Sequence, residues 1–224
     1  MDTHTPLEVK VWGEIACFTR PEMKVERVSY EAMTPSAARG VLEAIFWKPE
    51  FRWLIQEIHV LRPIEPWSFL RNEVKHKASY RAAQSWIDTP GAGFFVEDDR
   101  TQRHTLALRD VAYVIRADIE LIGRGTEEHP AKYRDQFRRR VAKGQCFHRP
   151  YLGCREFTSS FSEASDQELP IDVSKRLGRM LFDLKYMPDG SGEGTPIFFD
   201  AELDRGVLKV PQSLYKQTLS EGSP

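Results

Sequence analysis

The sequence predicts an α+β fold: two β-α-β units sharing one sheet, followed by a small C-terminal antiparallel β-sheet. Three observations carry this prediction. VAYVIRADIEL (111–121) places Tyr113, Ile115, Ala117, Ile119 and Leu121 on one side and Arg116, Asp118 and Glu120 on the other, the two-residue period of a strand. Pro35 and Pro130 each stand where the first residue of an amphipathic helix belongs. Near the C-terminus, RLGRMLFDLKYM and TPIFFDAEL alternate on either side of PDGSGEG, a glycine-rich hairpin loop.

Taken in order, LEVKVWGEIACF sets Leu7, Val9, Val11, Ile15 and Cys17 on one side, so residues 7–18 read as a strand. Arg20, Lys24 and Arg27 follow at spacings that suit a basic loop. Thr34 is an N-cap, and Ala38, Val41, Leu42 and Ile45 form the stripe of a helix that must stop before Pro49. FRWLIQEIHVL (51–61) is rich in aromatic and β-branched residues and reads as a second strand. Residues 62–105, punctuated by prolines and glycines, are expected to be an irregular insertion with short strands near 69–74 and 94–97. The second helix opens at Pro130, repeats Tyr133, Phe137 and Val141, and stops at Gly144. LGCREF (152–157) is expected to return as a strand. The order β-α-β, insertion, β-α-β is the ferredoxin-like βαββαβ arrangement, over residues 1–160. The Ser-rich, acidic stretch 158–171 leads into the C-terminal β domain, residues 161–224.

Bulk composition narrows the function. A chain of 224 residues with 41% hydrophobic and 29% charged residues has the make-up of an ordinary globular protein. No apolar run approaches the ~18–20 residues of a membrane span, and MDTHTPLEVK lacks the order of a secretory signal. A cytoplasmic protein without membrane contact is expected. Cys17, Cys146 and Cys154 and six scattered histidines offer no metal-ligand spacing, so neither metal nor cofactor is expected. No phosphate loop, dinucleotide glycine signature or nucleophile elbow is present.

The charge is segregated. Residues 130–157 carry eight Lys and Arg against one Asp and one Glu, while the whole chain is at -1. Residues 158–204 hold ten acids and four bases. Such a molecule can receive a polyanion on one face and repel it from another. Solvation of an amphipathic helix explains Lys132, Arg134, Arg138, Arg139 and Lys143 equally well. If the polyanion is RNA, the arginines clamp phosphates and rings such as Phe147 or Tyr151 stack on bases. RNA also brings its own nucleophile, a 2′-hydroxyl. A protein need only move two protons and neutralise the pentavalent phosphorane. Lys132 and Tyr133, at a helix N-terminus with His129 just before, are residue types suited to that work.

The stretch VWGEIACFTRPEMKVERVSYEAMTPSAARGVLEAIFWKP, then RNEV at 71–74, then FRRRVAKGQCFHRPYLGCREF, resembles the CRISPR-associated RAMP superfamily. Within it, the resemblance is to the d-type of the fifth Cas family, found in type I-C systems, over most of residues 7–157. It implies an RRM-like RAMP fold and a precursor CRISPR RNA endoribonuclease that cuts the repeat without metal. It also implies that the protein keeps the 5′ handle as a subunit of an interference complex. Arg20, Lys24, Arg27, Arg138, Arg139, Arg140, Arg149 and Arg155 match the family's basic motifs and are expected to contact RNA. The resemblance places an ionisable Tyr or His just before Trp-Lys-Pro, where this chain has Phe46, and a Lys-His pair where it has Lys132 and Tyr133. Tyr133, or else Tyr30, His59, His129 or His148, must then move the protons. The alternative is a catalytically weak or inactive subunit that only holds the guide's handle.

Overall fold

The computed structural model describes residues 5–89, 91–123, 126, 129–186 and 194–218. Its framework is a mostly antiparallel sheet. The strands are β1 (Leu7–Ala16), β2 (Arg27–Val28), β3 (Phe51–Val60), β4 (Glu65–Val74), β5 (Arg100–Leu121), β6 (Ser160–Ser162), β7 (Lys175–Tyr186), β8 (Gly194–Asp204) and β9 (Val207–Lys209). The helices are α1 (Pro35–Ile45), α2 (Tyr80–Ile87), α3 (Pro130–Ala142) and the short α4 (Tyr215–Thr218). The main path of the sheet runs β6-β1-β5-β3-β9-β8-β7. Helix α1 connects β1 to β3, and α3 lies between β5 and β6.

Strand β5 organises the sheet. Its second half pairs with β1 on one edge and β3 on the other: Tyr113 stands opposite both Val11 and Val60. Its first half pairs with β4 and, in parallel, with the two residues of β2. Between the halves Asp110 takes a left-handed conformation (φ 49°), which Asp tolerates better than branched residues do. The alternation visible in the sequence therefore stops at 111, although the strand begins at Arg100.

Helix α1 forms as its signals require. The Thr34 hydroxyl accepts from the Ala37 amide at 3.2 Å, and Pro35 fills the first helical position. Val41, Leu42 and Ile45 are buried. Helix α3 presents Tyr133, Phe137 and Val141 to the same core. The Phe137 ring lies 4.8 Å from Trp53, and Tyr133 lies 5.2 Å from Phe51. Burying side chains of this size contributes about 1.5–3 kcal/mol each, which holds both helices on β3 and β5.

The structure departs from the sequence reading in three places. Residues 62–105 are not an irregular insertion: β4 spans ten residues, α2 follows, and 94–97 is not a strand. The short strand expected near 69–74 is the second half of β4, which begins earlier, at Glu65, where Pro66 and a run of exposed side chains hide it. LGCREF is a tight turn, not a strand. Leu152 donates to the Phe157 carbonyl at 2.8 Å, Tyr151 bridges Thr158, and the strand expected there comes later and shorter as β6. The C-terminal hairpin is bonded into the main sheet, since β9 pairs with both β8 and β3. Met180, Phe182 and Leu203 accordingly share one core with the N-terminal half. The turn expected over PDGSGEG falls, except for Gly194, outside the described residues.

Candidate nucleic-acid interface

The end of α1, helix α3 and the loop after α3 are pinned together, and most of the predicted site lies there. Phe46 caps α1. Its carbonyl accepts from the Trp53 indole at 3.1 Å, and its ring lies 5.4 Å from Phe51. Phe51 in turn meets Tyr133, so three rings run from the end of α1 to the first turn of α3. The Lys132 ammonium lies 5.3 Å from the centre of the Tyr133 ring. On the other side the Arg140 guanidinium covers Phe46 at 5.3 Å and donates to the Ile45 carbonyl at 3.1 Å. The Phe147 and His148 amides both donate to the Ala44 carbonyl, at 2.8 and 3.2 Å. The last carbonyls of α1 are thus satisfied by the α3 side of the molecule, which fixes where Phe147, His148 and Arg149 stand.

Exposure separates the candidates. Lys132, His129, His148 and Arg149 are exposed, and Phe147 is 83% exposed. Phe46 and Tyr133 retain only 1% and 3% of their surface. The substituted position is therefore a core ring, and the Tyr133 ring is mostly inside. His129 is the N-cap of α3, and its Nδ1 accepts from the Ala131 amide at 3.3 Å. That bond puts the proton of a neutral ring on Nε2. Tyr30 and His59 lie elsewhere: the buried Tyr30 hydroxyl accepts from the Leu181 amide, and His59 faces Glu57 on β3.

The basic residues also sort themselves. Arg134, which the charge run counts with the others, is 3% exposed; it is bound to Asp118 of β5 and to the Thr5 carbonyl. Arg138 is held by Asp135 at 3.2 Å. Arg20 lies 4.4 Å from the centre of the Tyr30 ring and 3.9 Å from Glu22. Arg27 contacts Glu156 at 2.6 Å and Glu73 at 3.8 Å. Burial opposes the charge of Arg27, but Glu156, Cys154 and Glu73 together raise its pKa. Lys24, Arg139, Arg149 and Arg155 are exposed and make no salt bridge among the described residues. Beside Arg20 a groove of about 560 Å³, lined by Val28, Ile64, Leu106 and Ile171, runs towards Lys175.

Sequence reasoning did not single out Trp47 and Lys48, which follow Phe46 and are exposed, Trp47 by 55%. The signal was the end of the α1 stripe: Phe46 is the last ring the core takes, and Trp47 and Lys48 directly after it stay outside.

Comparison with known proteins decides the family. The model for Cas_Cas5d, described as CRISPR-associated protein (Cas_Cas5), matches residues 6–222. The chain belongs to the Cas5d family. It is 48% identical over 233 residues to the CRISPR pre-crRNA endoribonuclease Cas5d of Thermus thermophilus, covering 96% of each chain. To the Cas5d of the same description from Mannheimia succiniciproducens it is 44% identical over 216 residues, covering 92% of this chain and 94% of the other. Among solved structures, one described as a CRISPR-associated protein superposes with a TM-score of 0.65 at 22% identity, covering 94% of this chain and 96% of the other. A functionally uncharacterized protein from Streptococcus mutans gives 0.63 at 21% identity, covering 92% and 93%. These two support the α+β fold and nothing finer. Among the described residues no helix is long and apolar enough to cross a membrane, and no group of three or more His, Cys, Asp or Glu is placed to hold a metal ion.

Proposed function

We propose that this Cas5d protein is an endoribonuclease that cuts precursor CRISPR RNA within its repeat and keeps the 5′ handle as a subunit of a type I-C interference complex. The observation that carries the reading is end-to-end similarity, at 48% and 44% identity, to two proteins bearing that endoribonuclease name. The strand order β6-β1-β5-β3, with α1 and α3 as the connecting helices, supports a ferredoxin-like core for residues 1–160. The hairpin of residues 161–224 is then an appendage extending the sheet.

The proposed chemistry uses side chains of this chain. The RNA's 2′-hydroxyl attacks the adjacent phosphorus, leaving a cyclic phosphate and a 5′-hydroxyl. Lys132, exposed on the first turn of α3, places a positive charge where the helix dipole also favours a phosphorane. Tyr133 supports it from below, its ring facing the ammonium. Proton transfer falls to the exposed imidazoles His129 and His148, whose residue type suits neutral pH. Arg139, Arg149 and Arg155 hold phosphates, and Phe147 and Trp47 offer exposed rings to bases. No step calls for a metal.

A second reading, a subunit that holds the handle with little cutting, is favoured by one observation. Both family positions occupied by aromatics here, Phe46 and Tyr133, are buried, and Phe46 carries no proton. One experiment separates the two. Purified protein is incubated with its cognate repeat RNA, with and without EDTA, and with a 2′-deoxy nucleotide at the scissile position. Cutting that survives EDTA and stops on the deoxy substrate is the expected result. Cutting that needs metal, or that proceeds without the 2′-hydroxyl, overturns the mechanism, and binding without cutting selects the second reading.

A further inference from the structure

The turn at residues 151–157, which also carries Arg155, brings together two thiols that the proposed cleavage does not use. Cys17 follows β1 and is fully buried, while Cys154 is half-buried. The two segments touch along their backbones. The Cys17 amide donates to the Leu152 carbonyl at 3.0 Å, and the Cys154 thiol lies 3.5 Å from the Cys17 carbonyl. Gly153 takes φ +86° there, and a Cβ at this position would collide with the Cys17 backbone. Around the Cys154 sulfur stand the Thr19 hydroxyl at 3.8 Å and the Arg27 Nη1 at 3.3 Å, which also donates to Glu156 at 2.6 Å.

We propose that Cys17 and Cys154 form a peroxide-sensitive dithiol that closes to an intramolecular disulfide, tying the 151–157 turn to the end of β1. The surroundings polarise the pair in opposite senses. A hydrogen bond from Cys17, then Thr19 and the charge of Arg27, push Cys154 down to about 6 against burial and Glu156. The hydrogen bond to Cys154, then burial, push Cys17 up. Cys154 is thus the thiolate and Cys17 the thiol that donates to it. In the first step the Cys154 thiolate attacks one oxygen of hydrogen peroxide. The O–O bond breaks, the sulfur is oxidised by two electrons to a sulfenic acid, and hydroxide leaves to take a proton from solvent. In the second step the Cys17 sulfur attacks Cys154 and the S–O bond breaks. The departing hydroxide carries off the Cys17 proton as water. Two thiols and one peroxide give one disulfide and two waters.

Closure removes the thiolate beside Arg27 and fixes the turn that carries Arg155. The test is made on the full chain with Cys146→Ser, which removes the third thiol. The reduced protein is treated with equimolar hydrogen peroxide at neutral pH, and non-reducing mass spectrometry follows the peptides. A monomer two hydrogens lighter, with a peptide linking Cys17 to Cys154 that dithiothreitol releases, is expected. In the further Cys17→Ser variant, dimedone should trap a sulfenic acid at Cys154. In untreated wild-type protein, iodoacetamide should label Cys154 at least tenfold faster than Cys146. An unchanged mass, linkage only between molecules, or Cys154 labelling no faster than Cys146 would each overturn the proposal. None of these readouts involves RNA, so the result is independent of whether the chain cuts.

Discussion

Replacing Arg134 by Met separates structural charge from the charge proposed to bind RNA on the same helix. Arg134 sits four residues before Arg138, yet it is buried, joined to Asp118 and to the Thr5 carbonyl. Methionine keeps most of the aliphatic stem but leaves the Asp118 carboxylate with the Ile119 amide and no guanidinium, and strands one backbone acceptor. Removing one partner of a fully buried pair costs ~3–5 kcal/mol. Asp118 retains 29% of its side-chain surface, so water recovers part of that and about 2–3 kcal/mol is the expected loss. With an m-value of about 2–3 kcal/mol/M, the urea midpoint should fall by about 1 M. RNA affinity, measured by filter binding below the unfolding range, should keep its salt slope. The paired control replaces Arg138 and Arg139 by Gln, sparing Arg140 because it caps α1. That double variant should hold its urea midpoint and lose about 1–1.5 units of the log–log salt slope. Should Arg134→Met flatten the salt slope with no shift in midpoint, the assignment of charges on α3 is wrong.

Other perturbations test the site and the turn. Lys132→Ala should abolish cleavage of the repeat in EDTA while RNA binding changes little; unaltered single-turnover cleavage would remove Lys132 from the mechanism. Phe46→Tyr should leave cleavage equal or higher, at a stability cost of about 1–3 kcal/mol if the new hydroxyl stays buried without a partner; a sharp drop in cutting by a well-folded variant would contradict the reading. Gly153→Ala forces a left-handed φ on a residue with a Cβ and drives it into Cys17, so unfolding should ease by more than about 1 kcal/mol. An unchanged melting curve would mean the turn does not rest on β1 as described.

Much of the backbone was legible before any coordinate. The Thr34-Pro35 start, the Ala38-Val41-Leu42-Ile45 stripe and the alternation from Val111 to Leu121 are local patterns, and α1 and the second half of β5 obey them. The family, too, was readable, because long ordered motifs persist in the chain. What was not legible depends on neighbours far away in sequence. The strand expected at 69–74 is there, but its extension back to Glu65 exists through the ten-residue register with β5. LGCREF has strand composition, but Gly153 turns it back against Cys17.

The same division runs through the site. Composition alone established that positive charge gathers on residues 130–157 and that Phe46 cannot carry a proton. Only the folded chain decided which charge is spent internally. Asp118 of β5 and the Thr5 carbonyl bury Arg134, the end of α1 claims Arg140, and the core takes the Tyr133 ring, while Arg139 stays exposed. Helical periodicity assigns a residue to a face; what covers that face is set by long-range packing, and it is the covering that turns one arginine into a strut and leaves another exposed on the surface.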